Sequence, residues 1–304
     1  MSHNKLIVIL GPTASGKTEL SIKLAKKYHG EIVSADSRQV YKGLDIGSGK
    51  ITKSQIQGIP HHLLDVKNPK QKFSVSQYQK LAIKEIKKIQ KKGKIPFLVG
   101  GTGFYIQSVV DGIVIPKVKP NYKLRKELSK KTTEELFSML KKIDPKRAKT
   151  IDAKNPVRLI RAIEIVTSTK KPVQKIILKP EFKVLEIGIK KPPDELKKLI
   201  HKRLMKRLKE GMVKEVINLH KNGLSFKRLE ELGLEYRYIA QYLQEKINYQ
   251  EMIEVLEKEI WHFQKRQMTW FYAHGGSASG GKKDKKIHWI KNINKAKSLI
   301  NDFL

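Results

Sequence analysis

The octapeptide Gly11-Pro12-Thr13-Ala14-Ser15-Gly16-Lys17-Thr18 constrains this chain more than any other stretch, because it matches the phosphate-loop pattern G-x-x-x-x-G-K-[ST] at every position. Its flanks agree. Lys5 to Leu10 is an apolar run that reads as a buried strand entering the loop. Thr18 to His29 reads as a helix leaving it, with Leu20, Leu24, Ala25 and Tyr28 on one face and Gly30 as its stop. Successive backbone N–H groups and a helix N-terminus together form a concave anion site. Gly11, Pro12, Thr13, Ala14, Ser15 and Gly16 are therefore candidate diphosphate- or nucleotide-binding residues, with Lys17 as a point charge and Thr18 as a hydroxyl ligand for Mg²⁺. The loop predicts a di- or triphosphate; it does not say which one.

Strands are expected at residues 5–10, 31–35, 95–99 and 183–189, with helical patterns between the first three. The clearest helix runs from Ser74 to Lys91, with Tyr78, Leu81, Ala82, Ile86 and Ile89 on one side and Gly93 ending it. This alternation predicts an α/β fold: a P-loop NTPase-like parallel sheet with helices on both faces. Ligands of such sheets bind outside the carboxyl ends of the strands. That rule selects Asp36, directly after strand 31–35, and Thr102, in the turn Gly100-Gly101-Thr102-Gly103 after strand 95–99. Asp36 has three readings: a water-mediated Mg²⁺ holder, a general base, or the cap of a turn. The glycines around Thr102 permit close approach of backbone to a ligand.

From Pro116 to about Phe182 the pattern is helical only. Leu124, Leu128, Leu136, Phe137, Leu140 and Ile143 fall at helical spacing, and Asn155-Pro156 opens a helix through Leu159, Ile160, Ile163 and Val166. The expected organisation is a core of residues 1–116 and 183–304 carrying an inserted all-helical domain at 117–182. Residues 194–221 and 250–272 read as long amphipathic helices of the core. Gly275–Gly281 reads as a flexible linker, followed by the solvated run Lys282–Lys286.

Charge identifies the class of partner. The chain holds 64 Lys+Arg against 29 Asp+Glu, a formal charge of +35. Residues 117–209 hold 29 Lys+Arg and 10 Asp+Glu, so more than half the excess sits in under a third of the chain. An uneven positive field of this size predicts a nucleic-acid face rather than uniform solubilisation. With no cysteine, disulfides and Cys-ligated zinc are excluded. The first strand begins at residue 5, leaving no room for a signal peptide, and no run approaches the roughly 18 apolar residues of a membrane span. A cytoplasmic protein without membrane contact is expected.

Six blocks in order carry a specific resemblance. The phosphate loop is followed by Ser34 through Gly47, by Pro60-His61-His62-Leu63-Leu64-Asp65, and by Val99 through Tyr105. Asn155 through Ala162 and Lys265-Arg266-Gln267-Met268-Thr269-Trp270 come later. From about residue 5 to 272 the chain resembles the tRNA dimethylallyltransferase (isopentenyl-tRNA transferase) family. The resemblance implies Mg²⁺-dependent transfer of a dimethylallyl group from dimethylallyl diphosphate to N6 of the adenosine 3′-adjacent to the anticodon. It implies Asp36 as general base and Thr102 as the residue that orients it or the leaving group. It also implies Arg203 facing the diphosphate, and tRNA contacts at Asp36, Ser37, Arg38, Gln39, Thr102, Val157, Arg158, Leu159, Ile160 and Arg161. In the Lys265-Arg266-Gln267 cluster, Arg266 is the preferred RNA contact. The partners implied are the tRNA anticodon stem-loop and dimethylallyl diphosphate, bound by a monomer.

Two positions depart from the family pattern. Val157 stands where Gln is usual, and Glu235, in Gly233-Leu234-Glu235-Tyr236-Arg237, stands where Gly is expected. Glu235 is expected to add negative charge near an RNA surface. Three other functions fit parts of the sequence: a small-molecule kinase with Asp36 as base, a prenyltransferase acting on free adenine nucleotides, and a non-catalytic RNA-binding or nucleic-acid-stimulated NTPase module. The first two leave the basic helical insertion unexplained. The third lacks an acidic Walker B residue, since Phe97-Leu98-Val99-Gly100-Gly101 ends in glycine.

Overall fold

The computed structural model describes residues 4–274 and 287–304. The linker and lysine run read at 275–286 lie outside them. In chain order, β1 (Lys5–Leu10), α1 (Lys17–Lys27), β2 (Gly30–Ala35), α2 (Lys53–Ile56), β3 (His61–His62), α3 (Val75–Lys91), β4 (Ile95–Gly100) and α4 (Gly103–Val110) come first. Four helices follow: α5 (Tyr122–Leu128), α6 (Thr133–Ile143), α7 (Pro145–Ala148) and α8 (Pro156–Thr169). The chain ends with β5 (Lys183–Ile189), α9 (Pro193–Lys209), α10 (Met212–Lys221), α11 (Phe226–Glu231), α12 (Leu234–Leu243), α13 (Tyr249–His274), β6 (His288–Ile290) and α14 (Ile293–Phe303). These elements form two units, Met1–Gly112 with Pro180–Leu304, and Ile113–Lys179.

In the first unit the strands form one sheet in the order β3-β2-β4-β1-β5-β6, with every pairing parallel. Residues 6–10 of β1 are fully or almost fully buried, which is why its sequence is continuously apolar rather than alternating. Register then does something decisive. Gly100 pairs with both Leu10 and Ala35, so the loops after β1, β2 and β4 leave the sheet at one level. Glycine is required at Gly30, where a Cβ would lie 2.4 Å from the Phe97 ring and 2.6 Å from the Ile95 carbonyl oxygen. Gly30 therefore opens β2 and does not stop α1; the left-handed residue after that helix is His29, with φ 51°. The expected continuous helix over 194–221 is likewise two helices, broken at Gly211 with φ 97°. Strands β3 and β6 have two and three residues, too few to show a period in sequence.

The second unit is held by its own core of Leu128, Leu136, Leu140, Ala148, Leu159, Ala162 and Ile163. Its helices start where side chains satisfy the first free amides. Asn121, Thr132, Asp144 and Asn155 accept from Leu124, Glu135, Arg147 and Arg158 respectively. An antiparallel bridge between Ile113 and Leu178 and a bond from the Val114 amide to the Ile177 carbonyl tie its two ends together.

Candidate active site

The phosphate loop is joined to the turn after β4 through one side chain. Gln267, buried on α13, accepts from the Thr13 amide at 2.9 Å and donates to the Gly101 carbonyl at 2.8 Å. Its Nε2 lies 2.4 Å from where a Gly101 Cβ would stand, so a side chain at that position would displace Gln267. Within the loop, Ala14 and Gly16 take φ of 60° and 91°, and Lys17 folds back on the Pro12 carbonyl and to within 3.5 Å of Ser15 Oγ.

Asp36 and Thr102 are joined across the loops after β2 and β4. Asp36 Oδ1 accepts from the Arg38 amide at 2.8 Å and the Gln39 amide at 3.3 Å. Thr102 Oγ1 accepts from the Ser37 amide at 3.0 Å, and the Thr102 amide donates to the Ala35 carbonyl at 3.2 Å. The turn-capping reading of Asp36 is thus correct, and it is also what positions the group: one oxygen is anchored, the other remains available as a proton acceptor. Below this turn Tyr78 stacks on Tyr105 at 3.9 Å, and Tyr78 donates to the Ser34 carbonyl at 3.1 Å. Burial raises both phenols and Asp36 pushes the same way, so both stay neutral.

One cleft of about 740 Å³ collects these groups: Thr13, Lys17, Thr18, Asp36, Arg203 and Gln267 line it. Burial first, then the Arg203 guanidinium, lower the Lys17 ammonium to about 7, against the opposing pull of Asp36. Arg203 is itself lowered by burial and by Arg207, with Glu235 and Asp36 opposing. Two cations facing one carboxylate leave the cleft biased toward an anion. Among the described residues no cluster of three or more His, Asp or Glu side chains could cage a metal. Mg²⁺ shared with a substrate's phosphates needs no such cage, and the Thr18 hydroxyl and the Asp36 carboxylate in one cleft fit that mode.

Other expected contacts separate by environment. Ser37, Arg38 and Gln39 sit in the Asp36 turn, where the Gln39 side-chain Nε2 donates to the Gly49 carbonyl at 3.3 Å. Val157 is 75% exposed at the start of α8, Arg158 is exposed beside Asp152, and Ile160 is half-buried. Leu159 is fully buried in the core of the helical unit, so its side chain is no RNA contact. Arg161 is partly buried, its guanidinium bonded to Glu164 and to the Val118 carbonyl at 3.1 Å. Arg266 is exposed, 3.9 Å from Glu259, and the cleft residue of its cluster is the neighbouring Gln267. Helical period carries that signal: Met252, Leu256, Ile260, Gln264, Gln267 and Phe271 share the buried face of α13. His61 also lines the cleft, its Nδ1 2.7 Å from the Ile59 carbonyl and its imidazole lowered by burial. Glu235 does not add bare negative charge, because Arg207 pairs with it at 3.0 Å.

The sequence profile of the IPP transferase family matches residues 39–274. A tRNA dimethylallyltransferase 1 of Syntrophus aciditrophicus is 44% identical over 270 residues, 88% of each chain. The solved tRNA isopentenylpyrophosphate transferase of Bacillus halodurans superposes with a TM-score of 0.71 at 33% identity, covering 99% of this chain and 95% of that one. A eukaryotic dimethylallyltransferase captured acting on tRNA superposes with a TM-score of 0.83 at 26% identity, over 99% of this chain and 79% of that one. A phosphate loop, an anchored carboxylate and a cationic cleft at one sheet edge are thus read in the company of relatives along nearly the whole chain, and the chain belongs to the IPP transferase family.

Proposed function

We propose that the chain transfers a dimethylallyl group from dimethylallyl diphosphate to N6 of the adenosine 3′-adjacent to the anticodon in tRNA, giving N6-isopentenyladenosine and diphosphate. The observation that carries this reading is the shared cleft of Lys17, Arg203 and Asp36. The loop amides, Lys17 and Arg203 hold the diphosphate as leaving group and take up the charge that develops as the allylic C–O bond breaks. Mg²⁺, when bound by Thr18 and the diphosphate, supplies further neutralisation. Asp36 takes the N6 proton as the new C–N bond forms. An exocyclic adenine amine is a weak nucleophile, so general-base help and leaving-group stabilisation are both needed. Thr102 keeps the Asp36 turn in place through the Ser37 amide.

The helical unit, with 19 Lys+Arg against 6 Asp+Glu over residues 113–179, supplies the positive surface for the tRNA backbone. No helix of the described residues is long and apolar enough to cross a membrane. We read the enzyme as a cytoplasmic monomer.

Radiolabelled dimethylallyl diphosphate offered with Mg²⁺ to unmodified tRNA and, separately, to AMP tests the reading. Label in tRNA alone, lost in Asp36→Ala, is the expected result. Label in AMP moves the acceptor to free nucleotides, and label in neither overturns prenyl transfer.

A further inference from the structure

Arg203 and Arg207 stand one turn apart on α9, and both reach the segment of residues 45–49. Arg203 Nη2 donates to the Gly49 carbonyl at 3.4 Å and lies 2.2 Å from where a Gly49 Cβ would be. Arg207 is buried, and its Nη1 donates to the Gly47 carbonyl at 2.7 Å and meets Glu235 at 3.0 Å. The same segment is gripped from α10: Glu215 accepts from the amides of Asp45, Ile46 and Gly47 at 3.0, 2.6 and 3.0 Å. Tyr236, on α12, donates to that carboxylate at 2.9 Å and packs its ring on Gly47. Ser48 and Arg203 both line the cleft, so this segment forms part of its wall.

The charge balance of this cluster depends on Glu235. Two guanidiniums four residues apart on one helix face repel, more so as water is excluded. Glu215 is committed to three amides and a phenol, and Asp45 to Lys50 at 2.6 Å. Glu235 is the acid that pairs with Arg207, whose Nε has no hydrogen-bond partner. Without it Arg207 would be a buried cation resting on one carbonyl, and a charge in that state moves toward water or a new partner.

We infer that Glu235 is a positioning residue for the diphosphate end of the cleft: by holding Arg207 on the Gly47 carbonyl it fixes the 45–49 segment on which Arg203 rests. This deepens the diphosphate reading and rests on it. Glu235 acts before the chemistry, on the placement of a cation, so its loss shows in donor binding and leaves proton transfer at Asp36 intact.

The test uses the full chain as wild type, Glu235→Gln, Glu235→Asp, Arg207→Met and the double variant Glu235→Gln/Arg207→Met. Calorimetry with inorganic diphosphate and Mg²⁺ gives Kd, steady-state transfer gives KM and kcat, and amide exchange reports on residues 45–49. Glu235→Gln is expected to raise Kd and donor KM roughly tenfold, with kcat within about twofold. Exchange at 45–47 should quicken, Glu235→Asp should recover most of the loss, and the double variant should match Arg207→Met alone. Wild-type affinity and exchange in Glu235→Gln, or additive effects in the double variant, would overturn the inference. If wild type itself does not bind diphosphate, the diphosphate reading falls, and with it the placement role assigned to Glu235. Faster exchange at 45–47 in Glu235→Gln would then show a purely structural latch.

Discussion

Gln267 and Thr13 are separated by 254 residues, yet the Gln267 carbonyl oxygen lies 2.9 Å from the Thr13 amide while its amide nitrogen reaches Gly101 at 2.8 Å. The phosphate loop and the turn bearing Thr102 are therefore set relative to each other by a side chain from α13, not by the sheet alone. Gln267→Ala leaves the part-buried Thr13 amide and the buried Gly101 carbonyl without this partner, a loss of about 1–3 kcal/mol for the buried one and less for the other. Gln267→Glu retains the acceptor for Thr13 but turns an acceptor toward the Gly101 carbonyl, so it should be the worse of the two. Single-turnover transfer is expected to slow by roughly ten- to a hundredfold in Gln267→Ala and further in Gln267→Glu. Thermal melting run alongside separates this from unfolding; equal rates in both variants would refute the bridging role.

Lys17 makes the cleft sensitive to pH near neutrality. Its folded-state value of about 7 lies below its ordinary 10.5 because of burial and Arg203. Between those values the unfolded chain binds one more proton than the folded one, so stability should rise with pH relative to Lys17→Met. An anion bound in the loop reverses the bias and favours the ammonium. Binding of diphosphate at pH 8 should then take up close to one proton more in wild type than in Lys17→Met. Calorimetry in two buffers of different ionisation enthalpy measures that difference directly.

Much of this site is legible in sequence because the backbone builds it. An apolar run followed by a glycine-rich loop marks where β1 ends, and the parallel arrangement places Asp36 and Thr102 beside that end before any side chain is considered. Side-chain direction is harder to read. Blocks of family resemblance place Leu159 and Arg266 near function, but they do not say which way each points. Helical period does say it: Leu159 shares a buried face with Ala162, Ile163 and Val166, and Gln267 shares one with Ile260 and Phe271. Arg161 and Glu235 are harder still. Their partners, Glu164 and Arg207, become visible only when burial shows which charges need neutralising.

Thr102 offers a test of how Asp36 is held. Its hydroxyl accepts from the Ser37 amide at 3.0 Å, so Thr102→Ser retains the bond and Thr102→Val removes it at nearly constant volume. Transfer by Thr102→Ser is expected within about threefold of wild type, and by Thr102→Val to be slower by one to two orders of magnitude. Diphosphate affinity should be nearly unchanged in both, since the phosphate loop is untouched. A large loss of affinity in Thr102→Val would move its role to the leaving group.

In the helical unit, two arginines three residues apart on α8 should behave oppositely. Arg161 and Arg125 enclose Glu164, which is fully buried and also accepts from the Asn121 amide at 2.7 Å. Burial alone would raise the Glu164 carboxyl, but the bonds from Arg125, Arg161 and Asn121 hold it down to about 2. A carboxyl lowered on folding stabilises fully above its unfolded value near 4.5, and that contribution disappears as pH falls toward 2. Arg161→Ala should therefore cost about 1–3 kcal/mol and flatten the acid limb of a pH–stability curve. Any loss of tRNA affinity it shows should track unfolding. Arg158 is exposed, and its pairing with Asp152 at 3.9 Å is too weak to matter for stability. Arg158→Ala should leave melting unchanged, weaken tRNA binding, and reduce the slope of log K against log salt by about one. A lower melting temperature for Arg158→Ala with an unaltered salt slope would reverse the two assignments.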